Sequence, residues 1–139
     1  YAVAYATCYS NDDWRALAQA LEALGGDWQL DHTRRIYRRL GDRDRYLELR
    51  HRRLVTGTDY HDLADFHWKA CEKQAAMEVA EEGLRLGKGS MDELRLFVAR
   101  QAKSAGNRER FLALQFERAV DRLTCDKYKA FRKLCTATE

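Results

Sequence analysis

His61 and His67 share one short stretch with Asp59, Asp62, Asp65 and Cys71, and these are residue types that ligate zinc. A helical metal site needs its ligands on one face, at positions i and i+4. His61 with Asp65 has that spacing, and so has His67 with Cys71. Positions 61 and 67 are separated by about 600° of helical rotation, so the two pairs point to different faces. His67 and Cys71 fall on the apolar stripe of their segment and read as a packed histidine beside a thiol. His61 with Asp65 reads as an exposed helix pair. No metal is expected.

Cys71 and His67 also invite a test for nucleophilic catalysis. Such a pair needs an orienting group and an oxyanion site as well as a base. Nothing in the sequence supplies either. Gly83, Gly87 and Gly89 lack the lysine and hydroxyl residue of a phosphate-binding loop. Glu81 and Glu82 are adjacent and therefore lie on different helix faces. No catalytic residue and no cofactor is expected, and the chain reads as a non-enzyme.

The most unusual chemistry is basic. Arg34, Arg35, Arg38, Arg39, Arg43, Arg45, Arg50, Arg52 and Arg53 crowd into one short region. Arg34 and Arg38 lie at i and i+4, as do Arg35 and Arg39. Tyr37 and Tyr46 stand beside them, the arrangement in which aromatic rings stack on bases. Asp31, Asp42, Asp44 and Glu48 interrupt the cluster, which favours a solvated, partly paired face. Two partners remain for it: an acidic protein or peptide, or a nucleic acid bound through segment 34–53. The residues set to meet a partner are Arg34, Arg35, Arg38, Arg39, Tyr37 and Arg45. Trp28, Phe66 and Trp68 are the aromatic candidates for anchoring a ligand, although aromatics at helical spacing are usually core.

The elements that must position these groups are helices. Apolar residues recur at three and four positions nearly everywhere. The expected segments are 12–24, 27–40, 43–56, 59–71, 73–86, 91–105, 108–123 and 126–135, with residues 1–9 as the tail of a preceding helix. Asn11 or Asp12, Asp42 and Asn107 are the expected caps, and glycines close several segments. Links of two to four residues force consecutive helices to pack antiparallel. No segment alternates convincingly as a strand.

Three turns look alike. Gly41-Asp42-Arg43, Cys71-Glu72-Lys73 and Gly106-Asn107-Arg108 each set a small residue at a helix end, then a polar cap, then a basic residue. They begin 30 and 35 residues apart, the size of a two-helix repeat. On these residues the chain resembles the tetratricopeptide-repeat-like α-solenoids. The match is best over 59–123, where Ala64 and Ala76 are small residues for a helix crossing and Gly83 and Leu84 stand where the next unit would pack. The unit at 27–57 departs from it, with Arg34 and Tyr46 in place of small residues, and the third unit has Ala99 but also Phe111. The family's proline between units is absent. The run Leu54-Val55-Thr56-Gly57-Thr58-Asp59-Tyr60 is also similar to the helical region beside SWIM-type zinc fingers of some bacterial proteins, although no zinc-finger cluster lies in this chain. The resemblance implies an all-α fold of about eight helices, with antiparallel hairpins stacked in a right-handed solenoid. It also implies a protein-interaction or scaffold role.

Composition agrees with that class. The chain has 139 residues, 45% hydrophobic and 34% charged, which fits one globular domain. The expected domain is 1–139, with units 27–58, 59–90 and 91–123 and flanking helices 1–26 and 124–139. There is no proline, which argues against sandwiches, barrels and polyproline linkers. No apolar run approaches the roughly 20 residues of a membrane span, so no membrane is expected. The net charge of +3 is too small to imply nucleic acid by itself. The first residue is Tyr1 and not Met, so the chain is expected to be a piece of a longer protein. Of 25 basic residues 18 are arginine, as in GC-rich bacterial coding. Cys8, Cys71, Cys125 and Cys135 form no paired motif and read as free, buried thiols of a cytoplasmic protein.

Overall fold

The computed structural model describes residues 10–139; the helix tail expected at 1–9 lies outside the described residues. Among the described residues the chain is all-α. Its eight helices are α1 (Asn11–Leu24), α2 (Asp27–Leu40), α3 (Arg43–His51), α4 (Gly57–Lys69), α5 (Lys73–Leu86), α6 (Asp92–Ser104), α7 (Arg108–Asp121) and α8 (Cys125–Arg132). No helix among them is long and apolar enough to cross a membrane.

The three similar turns are one structure repeated. Gly41, Cys71 and Gly106 all take left-handed φ, at 72°, 64° and 76°. In each turn the next amide reaches back five residues: Asp42 N–H to the Tyr37 carbonyl, Glu72 to His67, Asn107 to Ala102. The left-handed residue itself donates three residues back, to Arg38, Trp68 and Lys103. This pair of bonds closes a helix whose last carbonyls have no partner within it. The polar residue that follows then starts the next helix. Asp42 and Asn107 accept from the amides of Arg45 and Arg110. Glu72 instead turns its carboxylate to His67 Nδ1, 2.6 Å away. Polar side chains at a helix start replace missing backbone acceptors, which is why these sequences turn where they do.

Several boundaries differ from the periodic reading. The third helix stops at His51 and not at 56, and Leu54–Thr56 run as an extended link. Thr56 caps α4 in a reciprocal capping box with Asp59, so α4 starts at Gly57, two residues early. The link is held by Lys88, whose amide donates to the Val55 carbonyl and whose carbonyl accepts from Gly57 N–H, 2.9 Å each. Ser10, not Asn11 or Asp12, caps α1, again in a box with Asp13. The last helix ends at Arg132, short of 135.

The helices fall into two compact units, one ending at Arg53 and one spanning Leu54–Glu139. In the first, α2 packs along both α1 and α3. Its core holds Trp14, Ala18, Leu21, Ile36, Tyr37, Tyr46 and Leu49. In the second, α4 pairs with α5 and α6 with α7, and α6 also touches α4 and α5. That is two hairpins stacked through their first helices, the packing expected of a helical repeat.

Small residues set the closeness of this stack. Ala64, Ala76, Ala80 and Ala99 are fully buried in the core of the second unit. At Gly83 a Cβ would come within 2.5 Å of the Tyr60 Cβ and 2.7 Å of Leu94 Cδ2, so α4, α5 and α6 meet there. The expected junction at Gly83 is therefore present. In the first unit, thirty residues earlier, Arg34 and Arg50 occupy the positions of Ala64 and Ala80. Both arginines are buried, and Tyr46 fills the place of Ala76.

Candidate functional site

The arginine cluster of α2 and α3 divides into three groups. The first is interior. Arg34 is 4% exposed and lies 3.7 Å from Asp31. Tyr37 is 3% exposed and donates its hydroxyl to Glu22 at 3.3 Å. Burial pushes the Tyr37 phenol up, so it stays protonated and remains a donor. These two expected partner-binding residues are corrected: both face the core, because α2 turns the positions of Arg34 and Tyr37 inward with Thr33 and Ile36. Tyr46 is buried as well, so neither tyrosine offers a ring to a base.

The second group is exposed and engaged. Arg45 bonds Glu22 at 2.5 Å and Glu48 at 3.0 Å, and its guanidinium lies 5.6 Å over the Tyr37 ring. Arg52 bonds Glu48 at 2.5 Å, and Arg53 bonds Asp27 at 2.7 Å. Arg38 lies 5.9 Å over the Tyr46 ring. The interrupting acids Asp31 and Glu48 do pair, while Asp42 serves as a cap.

The third group makes a surface. Trp28, His32, Arg35 and Arg39 follow one another at i, i+4, i+7 and i+11 and so share one stripe of α2. The Arg39 guanidinium stacks on the Trp14 ring of α1 at 4.5 Å. Trp28 and His32 meet edge to face at 4.5 Å. Between α1 and α2 opens a shallow groove of about 370 Å³ lined by Trp14, His32, Arg35, Ile36 and Arg39. Arg35 is 71% exposed and shares Asp31 with Arg34. Among the described residues Arg39 makes no ion pair, and residues 1–9 contain no carboxylate. Sequence reasoning marked Trp28, Arg35 and Arg39 but missed Trp14 and His32. The signal for His32 was the same stripe spacing; Trp14 comes from a different helix and had none.

The other candidate residues do not converge. His67 is bonded to Glu72, and Cys71 is exposed at the turn, not packed beside the imidazole. The left-handed turn ends the helix before position 71, which breaks the extrapolated stripe. His61 lies 3.5 Å from Glu93 of α6, while Asp65 pairs with Lys69. Among the described residues no three His, Cys, Asp or Glu side chains gather as a metal site. Cys71, Cys125 and Cys135 are free thiols; the first two are exposed and not buried as expected. Trp68 packs edge to face on Phe97 at 5.7 Å and belongs to the rim of the core.

Comparison with protein-family models, with curated proteins and with solved structures finds no match to this chain.

Proposed function

We propose that this chain is a non-enzymatic protein-interaction module, a divergent tetratricopeptide-like helical repeat whose α1–α2 groove receives an acidic segment of a partner protein. One observation carries it: Arg39 is stacked on Trp14 and flanked by Arg35 and His32, with no carboxylate pairing Arg39 among the described residues. A guanidinium held over an indole by cation–π attraction is fixed in place without using up its charge, and its planar fork suits two-point contact with a carboxylate. Trp14 and Ile36 at the groove floor add an apolar contact beside the charge. The repeated turns and the stacked hairpins support a scaffold, since such stacks characteristically present extended binding surfaces. A bacterial, cytoplasmic setting belongs to the same proposal and is supported by the free thiols and the arginine-rich composition.

The nucleic-acid alternative is the weaker one. Its stacking rings, Tyr37 and Tyr46, are buried, and Arg45, Arg52 and Arg53 already serve internal carboxylates. Fluorescence anisotropy tests the choice. A labelled glutamate-rich peptide should bind, and Arg35→Glu with Arg39→Glu should abolish that binding. A random oligonucleotide should bind negligibly at physiological salt. Tight oligonucleotide binding that weakens with salt, with a log–log slope near −0.9 per phosphate on duplex or about −0.7 on single strands, would replace the protein partner by nucleic acid.

A further inference from the structure

Helix α7 is apolar on both sides. Phe111, Leu114 and Ala119 face the core. Ala113, Phe116 and Val120 fall within an arc of about 60° on the opposite side. Phe116 is 52% and Val120 45% exposed, and Leu123 just past the helix end is 63% exposed. A second apolar strip, exposed on a helix already packed through its first, is the kind of contiguous patch that marks an interaction surface. The repeat offers its own comparison. Thirty-five residues earlier, the same positions of α5 and its following link are Glu78, Glu81, Arg85 and Lys88. One hairpin presents charge there and the next presents hydrocarbon.

The stripe is bordered by opposite charges. On one side Glu117 and Asp121 lie near Arg95 of α6, at 3.5 and 3.6 Å. On the other side runs α8, which contributes Phe131 against Phe116 at 5.6 Å. Lys129, Arg132 and Lys133 follow along α8 and its end. None of these three cations makes an ion pair among the described residues. An apolar strip between an acidic edge and a basic edge is complementary to itself. A two-fold axis running along α7 lays strip on strip and brings the acidic edge of each copy to the basic edge of the other.

We propose that α7 and α8 form a self-association surface, on which two copies of this chain pair α7 beside α7 in parallel. The occupant is a second copy because the unpaired cations of one edge then meet, on the other copy, two carboxylates that share the single guanidinium of Arg95.

The test is light scattering with sedimentation on the 139-residue chain. The wild type should dimerise at or below about 100 µM. Phe116→Glu with Val120→Glu should be monomeric, with helical circular dichroism retained because both side chains are exposed. Leu86→Glu, an exposed apolar site on α5, should leave the dimer intact. Charge variants test the arrangement directly. Lys129→Glu with Arg132→Glu should be monomeric alone, as should Glu117→Lys with Asp121→Lys, and the two mixed should restore the dimer. A wild type that stays monomeric, a dimer that survives Phe116→Glu with Val120→Glu, or charge variants that fail to restore each other would each overturn the proposal.

Discussion

Cys71 and Gly106 hold the same backbone conformation, φ 64° and 76°, at equivalent turns thirty-five residues apart. Two of the three copies of this turn use glycine there and one uses cysteine. A side chain in the left-handed region costs about 1–2 kcal/mol, because its Cβ crowds the following carbonyl. Glycine avoids that cost but loses roughly 0.5–1 kcal/mol of chain entropy. Cys71→Gly should therefore stabilise the protein by up to about 1 kcal/mol. Urea denaturation checks it, and a lower midpoint would mean that the thiol makes a compensating contact.

The junction at Gly83 predicts the opposite sign. A methyl there meets the Cβ of Tyr60 and the side chain of Leu94, neither of which is the end of a long flexible chain. Gly83→Ala should destabilise by about 1–3 kcal/mol despite its better helix propensity. Ala76→Leu should do the same in the crossing of α4 and α5. A wild-type melting temperature for Gly83→Ala would mean looser contact between the two hairpins, and one for Ala76→Leu looser contact within the first of them.

The buried arginine separates folding from binding. Arg34→Glu places a carboxylate in the core beside Asp31 and should cost about 3–5 kcal/mol. Arg35→Glu changes an exposed position and should stay within about 0.5 kcal/mol. Chemical denaturation of the two variants makes the comparison. Equal stability would return Arg34 to the surface.

Acid acts on the C-terminal tail. The Arg108 guanidinium, 2.6 and 2.8 Å from the Glu139 carboxylate, pulls its pKa down from 4.5 to about 2. A carboxylate lowered by folding stabilises above its unfolded pKa, and the contribution disappears as pH falls through the folded value. The tail contact should thus be whole above pH 4.5 and be lost between 4.5 and about 2. The Glu139 carboxyl carbon followed by NMR should show that low midpoint, and Arg108→Ala should return it toward 4.5. An unchanged midpoint in the variant would assign the shift to the Thr136 amide, which also donates to this carboxylate at 2.8 Å.

What the sequence determined by itself is local. The helix period, the capping residues and the recurrence of small residue, polar cap and basic residue are all written within a few positions of one another. The backbone obeys such signals directly, so the all-helical class and the three matching turns were legible. Ala64, Ala76 and Gly83 were legible for a related reason: a small residue in a helix matters only if something must come close. Where a neighbour in space decides, local signals point elsewhere. Periodicity carried α3 through Leu54 and Val55, but that stretch pairs with Lys88, over thirty residues away. Arg34 counted as surface because arginine usually is, yet the inward face of α2 buries it beside Thr33 and Ile36. Stacking Arg39 on Trp14 joins two helices, and no spacing along one chain segment reveals which ring a guanidinium will meet. Tertiary structure decided which arginines face the core, which meet internal carboxylates and which stay available, because packing assigns each face of a helix only once its neighbours are in place.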